Sequence, residues 1–146
     1  MINKWQFWVI IALAIFAGLA IFGYWQAVPS AERAQGSQPQ ITVEPTTYDF
    51  GNLVFGVIAE KKFKIKNLGP GVLQIIRITT SCSCTSANIE KNQLNSDEET
   101  ELLVRYDTAA MGSGSHGKGQ QDRIIYIKSN DPTQPQVELT TTAFVQ

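Results

Sequence analysis

Residues 61–67, KKFKIKN, decide the fold of this chain. Apolar and charged side chains alternate strictly along them, with Phe63 and Ile65 on one side and three lysines on the other: Lys62, Lys64 and Lys66. A period of two is typical of a β-strand that has one buried face and one wet face. We therefore expect a half-buried strand, with these lysines and Lys61 on its solvent face rather than in a lipid-binding patch.

Similar strand-like segments follow along the chain: VLQIIRITT (72–80), TELLVRYD (100–107), RIIYIKSN (123–130) and VELTTTAFV (137–145). Turn-forming segments separate them: LGPG (68–71), NSDE (95–98), MGSGSHGKG (111–119) and SNDPTQP (129–135). No amphipathic helical pattern of useful length interrupts the series. Residues 41–146 are therefore predicted to form one all-β domain, an Ig-like β-sandwich of about seven strands.

Six short segments occur in this region in a distinctive order: Tyr48-Asp49-Phe50-Gly51, Asn67-Leu68-Gly69, Leu73-Gln74-Ile75, Ser81-Cys82-Ser83-Cys84-Thr85, Tyr106-Asp107 and Ser129-Asn130-Asp131-Pro132. The ordered set resembles a bacterial family known as domain of unknown function 1573, which is itself similar to the Ig-like domains of the Hydin group. The resemblance implies an exported Ig-like module, commonly attached to an N-terminal anchor or signal, and it implies no known enzymatic activity.

Two positions depart from that family pattern. Ser83 stands where the family usually has a glycine between the cysteines, and a serine adopts a tight bend with φ above zero less easily. The family also tends to have a Pro-Gly-Glu turn where this chain has Ser96-Asp97-Glu98. We expect the second change to alter a turn and to leave the fold intact.

Both cysteines of the chain, Cys82 and Cys84, lie in TTSCSCTS (79–86). In an extended strand their Cα atoms would be about 6.6 Å apart, near the upper end of the disulfide range of about 4.4–6.8 Å. A disulfide would therefore need a local kink, and its loop is too short to add much stability. The alternatives are a pair of packed, reduced thiols, or a Cu(I) or zinc site completed by Met111 and His116.

Composition and motifs give little support to catalysis or to nucleic-acid binding. The 12 basic and 13 acidic residues leave no basic patch. His116, the single histidine, lies in the glycine-rich loop without the partners of a catalytic triad, and the Ser- and Thr-rich neighbours of the cysteines supply no cation that would activate a thiol. The acidic run at 97–99 is predicted to be a solvated turn. We expect no enzymatic activity and no resident cofactor.

The N-terminal segment has the pattern of a membrane span. Residues 5–28 contain no charged side chain and would make a helix of about 36 Å, against a hydrocarbon core of about 30 Å. Aromatic residues crowd both ends, as is typical of a span: Trp5, Phe7 and Trp8 at one, Phe22, Tyr24 and Trp25 at the other. The run is longer than the apolar region of a signal peptide and lacks a clear cleavage motif.

These features predict a single-pass protein of the bacterial inner membrane. Residues 1–4, with Lys4, are expected in the cytoplasm, residues 29–40 form a polar linker, and the domain at 41–146 faces the periplasm. Ala14 and Gly18 form a small-xxx-small pair that allows close approach of another helix. The expected partners are therefore the membrane and other integral membrane subunits.

Two functional hypotheses follow. The first is a non-catalytic accessory subunit whose helix packs in a larger membrane complex, such as a respiratory or photosynthetic electron-transport assembly, and whose Ig-like domain braces the periplasmic face. The second is a membrane-anchored copper-binding or thiol-redox protein that uses Cys82 and Cys84, with Met111 and His116 as further copper ligands.

Overall fold

The structure, a computed structural model, describes residues 6, 15–19, 22, 37–112 and 117–146. The chain divides into two units, Met1–Gln35 and Gly36–Gln146. In the first unit, residues 15–19 are helical and their side chains are exposed. Residues 1–4 and most of the predicted span, Ala14 included, lie outside the described residues. No helix among the described residues is both long and apolar enough to cross a bilayer.

The second unit is all β and consists of two sheets. Its described strands are β1 (Ile41–Glu44), β2 (Thr47–Leu53), β3 (Ile58–Asn67), β4 (Leu73–Thr80), β5 (Thr85–Ile89), β6 (Gln93–Leu94), β7 (Glu99–Asp107), β8 (Gly119–Ser129) and β9 (Gln136–Val145). One sheet has the order β1-β3-β7-β5, and the other has the order β2-β9-β8-β4-β6. Neighbouring strands are antiparallel except for β2 and β9, which are parallel.

The alternation in KKFKIKN forms the face that the sequence predicts. Phe63 and Ile65 are buried in the core between the sheets. The lysines of β3 lie outside and form ion pairs with acidic residues on or next to β7: Lys62 with Glu101 at 2.6 Å, Lys64 with Glu99 at 3.1 Å and Lys66 with Asp97 at 3.5 Å. These lysines therefore lie on the solvent-exposed face of β3.

The described domain has nine strands rather than about seven. The strands that lie outside the five segments named from the sequence are β1, β2, β5 and β6, with 4, 7, 5 and 2 residues. The two-residue β6 is defined by its pairing with β4, so its own residues carry no periodicity from which it could be recognised.

The end of the predicted linker lies against the domain. The amide of Leu68 donates to the carbonyl of Gln40 at 2.8 Å, and that of Gly71 donates to Gln38 at 3.3 Å. At Gly71 a Cβ atom would collide with the carbonyl oxygen of Ser37. The glycine therefore permits a close approach of two backbone segments, and the ordered domain begins before residue 41.

Candidate functional site

Cys82 and Cys84 form a disulfide at a turn between β4 and β5. Their Cα atoms are 5.2 Å apart, which is shorter than two residues of an extended strand. The carbonyl of Cys82 accepts hydrogen bonds from the Thr85 amide at 3.4 Å and from the Thr80 hydroxyl at 2.9 Å. These contacts hold the local kink that a disulfide at this spacing requires.

Ser83 occupies the bend without a left-handed backbone. Asp97 is the one non-glycine residue with positive φ in the described part of the chain. The replacement of the usual glycine by Ser83 is therefore compatible with this turn. Asp97 itself lies in the segment that replaces the Pro-Gly-Glu turn, where its φ of 62° takes the conformation that glycine adopts most easily.

The two sulfur-bearing residues differ in exposure. Cys84 is 2% exposed and packs in a cluster with Tyr106, Ala143 and Val145. Cys82 is only half-buried and lies at the edge of the same cluster. The disulfide thus has one sealed end and one end that solvent reaches.

Arg123 on β8 lies beside the sealed end. Its Nε donates to Cys84 Sγ at 3.0 Å, and its guanidinium carbon lies 5.5 Å from the centre of the Tyr106 ring. Nη1 donates to the carbonyl of Asp122 at 2.8 Å, and Nη2 donates to Gln121 Oε1. No carboxylate forms an ion pair with Arg123 among the residues that the structure describes. A fixed cation therefore points at one sulfur of the pair.

The sequence-based expectation that no cation lies near the cysteines was wrong, because it considered only sequence neighbours. Arg123 is 39 residues from Cys84 and reaches it through the pairing of β8 with β4 and β9. A signal was present: Gln121, Ile125 and Ile127 on the same side of β8 are buried, so Arg123 occupies an inward-facing position. A charged residue at such a position needs a partner.

A surface depression of about 300 Å³ lies next to the disulfide. It is lined by residues of three elements and their turns: Ile58, Ser83, Cys84, Ser86, Arg105 and Asp107, among others. The neighbouring strand β5 is at the edge of its sheet. The site therefore adjoins both a concave surface and a strand edge where a polypeptide can bind.

Of the two other proposed copper ligands, the structure describes Met111. Met111 is exposed in the turn after β7, and His116 lies outside the described residues. No group of three or more His, Cys, Asp or Glu side chains with metal-binding geometry occurs among the residues 37–112 and 117–146 or the described N-terminal positions. The metal hypothesis stays a prediction.

Two further segments from the family pattern have structural roles. The buried Asn67 side chain donates to carbonyls of Gly71, Leu94 and Asn95 at 2.7–3.1 Å, and its Oδ1 accepts from the amides of Gln40 and Gly69 at 3.1 and 3.0 Å. It therefore ties the end of β3 to three other segments.

Asp131, in the Ser-Asn-Asp-Pro segment, is also buried. Burial by itself raises the pKa of this carboxyl, but hydrogen bonds from the amides of Ile41, Thr133 and Gln134 and from the Thr133 hydroxyl outweigh it and lower the pKa. The carboxylate therefore links β1 to the turn between β8 and β9.

The acidic run at 97–99 begins in a turn and ends at Glu99, the first residue of β7. Glu98 accepts from the amide of Asn95 at 2.8 Å and pairs with Lys91. The hydrogen bond from Lys91 lowers the pKa of Glu98. Together with the ion pairs of Asp97 with Lys66 and of Glu99 with Lys64, these contacts give each acidic side chain a structural role at the surface.

A family model described as "Protein of unknown function (DUF1573)" matches residues 41–145, which is nearly the whole β domain. The chain belongs to this family. Among curated protein sequences, none matches it.

Solved structures share the fold of this DUF1573 domain. A Porphyromonas gingivalis W83 protein of unknown function is 23% identical, with a TM-score of 0.67 over 75% of this chain and 48% of that one. The human CEP192 ASH/PapD-like domain 7 is 8% identical, with a TM-score of 0.58 over 75% and 87%. The Vibrio cholerae protease VesB is 15% identical, with a TM-score of 0.52 over 75% and 32%. This chain thus spans about half of the P. gingivalis protein.

Proposed function

We propose that this protein is a non-catalytic, single-pass accessory subunit of a larger membrane complex in the bacterial inner membrane. Residues 5–28 form the membrane helix, with the N-terminus in the cytoplasm. The DUF1573 domain, which we regard as Ig-like and related to the Hydin group, braces the complex from the periplasm. A respiratory or photosynthetic electron-transport assembly is the class of host that we expect.

The observation that carries this proposal is the exposure of large apolar side chains in the N-terminal unit. Ile15, Phe16, Leu19 and Phe22 are 59–76% exposed. Burying a side chain of this size is worth about 1.5–3 kcal/mol, so a row of them left in water would be unfavourable. Lipid and a neighbouring helix are the surroundings that suit them.

The two outer faces of the β domain also differ in a way that supports bracing. The face of β3 and β7 is covered by ion pairs, including Arg105 with Glu60 at 2.8 Å. On β8 and β9 the outward positions include Ile124, Tyr126 and the exposed Phe144, beside the charged Asp122, Lys128 and Glu138. Protein interfaces are enriched in aromatic residues and have a polar rim, so we assign the β8–β9 face to contact with the complex.

Substitution of Gly18 tests the helix contact. A Cβ atom at Gly18 meets nothing within 4 Å among the described atoms, so we expect Gly18→Leu to act by blocking close approach of a partner helix. Phe16→Leu is the matched control, because Phe16 is about 200° away around the helix, at about 100° per residue.

We expect Gly18→Leu to reduce co-purification with the complex at least tenfold and Phe16→Leu to leave it unchanged. Full-length variants would be expressed in the native host and quantified against wild type after mild extraction. Retention of Gly18→Leu at the wild-type level, or of a variant that lacks residues 1–28, would show that the helix does not make the contact.

The disulfide and its contact with Arg123 favour a second candidate, a membrane-anchored thiol-redox protein. The two sulfurs are bonded to each other, and Cys82 is the less buried end of the bond. The copper form of this alternative requires both thiols in the reduced state together with Met111 and His116. Cys82→Ser and Cys84→Ser would each abolish redox activity under this candidate and would have little effect on an accessory subunit.

A further inference from the structure

We propose that the Cys82–Cys84 disulfide exchanges electrons with a protein dithiol, that Cys82 is the sulfur attacked, and that Arg123 stabilises Cys84 as the leaving thiolate. The proposal rests on the thiol-redox candidate and specifies its site. Its three supports are the unequal exposure of the two cysteines, the position of the guanidinium and the open surface beside the turn.

Exposure selects the sulfur that is attacked. In thiol–disulfide exchange a thiolate attacks one sulfur and displaces the other. Cys84 is 2% exposed and enclosed by Tyr106, Ala143 and Val145, whereas Cys82 is half-buried at the cluster's edge. An incoming thiolate therefore reaches Cys82, and the bond to Cys84 breaks.

Charge selects the leaving group. A disulfide sulfur is a weak hydrogen-bond acceptor, and a thiolate is a strong, charge-assisted one. Arg123 Nε is 3.0 Å from Cys84 Sγ, and Arg123 has no carboxylate partner in the described part of the chain. This cation consequently gains a strong acceptor only when the disulfide is reduced. Cations next to a cysteine favour its thiolate.

The exchange balances in two steps. A thiolate of the partner bonds to Cys82 Sγ, the Cys82–Cys84 bond breaks, and its electron pair stays on Cys84 beside Arg123. The second thiol of the partner, after losing its proton to water, attacks the partner's own sulfur in the mixed disulfide and releases Cys82 as a thiolate. The partner dithiol is oxidised to a disulfide by two electrons, and the pair in this chain is reduced by two electrons.

The surroundings leave room for a polypeptide at this position. The depression of about 300 Å³ lies beside the disulfide turn, on the side of Ser83 and Cys84, and is bordered by the exposed Ile58. Edge strand β5 begins at Thr85, directly after the disulfide. Cys82 Sγ lies 3.5 Å from the Thr85 hydroxyl, so an extended segment of the partner that pairs with this edge would lie next to the disulfide.

The test measures the equilibrium between the pair and glutathione redox buffers, with the full-length chain in mild detergent. Four proteins are compared: wild type, Arg123→Gln, Arg123→Lys and the control Arg77→Gln, which removes an exposed arginine from β4. Because the chain has only two cysteines, alkylation and intact mass give the reduced fraction directly. Circular dichroism checks that each variant is folded.

We expect wild type to equilibrate with glutathione and Arg123→Gln to have an equilibrium constant for reduction at least tenfold lower, which corresponds to about 30 mV for a two-electron couple. Arg123→Lys, which keeps the charge, should lie within about threefold of wild type. Arg77→Gln should match wild type. Tandem mass spectrometry of the acid-trapped intermediate should locate glutathione on Cys82.

Different results would overturn different parts of the proposal. A wild-type disulfide that stays oxidised in every glutathione buffer would be a structural link, and the thiol-redox candidate itself would fail. If wild type equilibrates but Arg123→Gln has the same equilibrium constant for reduction, Arg123 does not stabilise the Cys84 thiolate. The thiol-redox candidate would stand in that case. Glutathione found on Cys84 would reverse the order of attack.

Discussion

Replacement of the buried Asn67 by Leu should destabilise the domain strongly. The change keeps a similar volume but removes all five side-chain hydrogen bonds that tie the end of β3 to its neighbours. Two of these bonds are fully buried, those with the carbonyl of Leu94 and the amide of Gly69. A buried polar group that loses its partner costs about 1–3 kcal/mol, so the two together cost about 2–6 kcal/mol.

Asn130→Leu is the matched control. Asn130 also makes side-chain bonds to backbone, with the amide of Gln74 at 2.8 Å and the carbonyl of Val72 at 3.0 Å, but both are solvent-exposed. Water replaces the lost partner there, so the net loss for each bond is about 0.5–1.5 kcal/mol. Asn67→Leu should therefore lower the free energy of unfolding more than Asn130→Leu does.

Urea unfolding of the full-length variants gives both values. Far-UV circular dichroism is the appropriate signal, because all three tryptophans lie at or before residue 25 and do not report on the β domain. The midpoint should fall while the denaturant slope stays constant. A cost below about 1 kcal/mol for Asn67→Leu, or equal costs for the two variants, would refute the burial argument.

Three other substitutions test the remaining structural features. Gly71→Ala should cost about 1–3 kcal/mol, measured by urea unfolding, because its Cβ meets the Ser37 carbonyl; an unchanged midpoint would contradict this. The pKa of Asp131 is lowered in the folded protein, so its contribution is complete above the unfolded pKa of about 3.9 and is lost as the pH falls through the lower folded value. In Asp131→Asn the free energy of unfolding should therefore fall less steeply as the pH is lowered, by up to about 1.4 kcal/mol per pH unit. An unchanged slope at acidic pH would contradict this. Joint replacement of Cys82 and Cys84 by serine should cost only about 1.6 kcal/mol by thermal or urea unfolding, since the closed loop is minimal; a loss above about 4 kcal/mol would indicate a structural staple.

The sequence predicts the fold well where the side chains alternate. Phe63 and Ile65 are buried and their lysine neighbours are paired on the surface, as the period of two requires. The two-residue strand β6 could not be predicted in the same way, because it exists only through its pairing with β4. Long-range pairing of this kind leaves no periodic signal in the short segment itself.

The sequence identified the two cysteines of the candidate site but not Arg123. The spacing of Cys82 and Cys84 raised the disulfide as one of three alternatives, and the turn held by Thr80 supplies the necessary kink. Arg123 could not be assigned to the site from local sequence, because sheet register brings it there from 39 residues away. Chemistry that depends on such register requires the tertiary structure.

Native mass spectrometry of the protein extracted gently from its own membranes shows whether the chain is a subunit of a larger complex. The accessory-subunit account predicts that the chain is recovered within an assembly whose mass includes other integral membrane subunits, and that Gly18→Leu releases it. Recovery of wild type as a single chain under conditions that keep other membrane complexes intact would contradict the account.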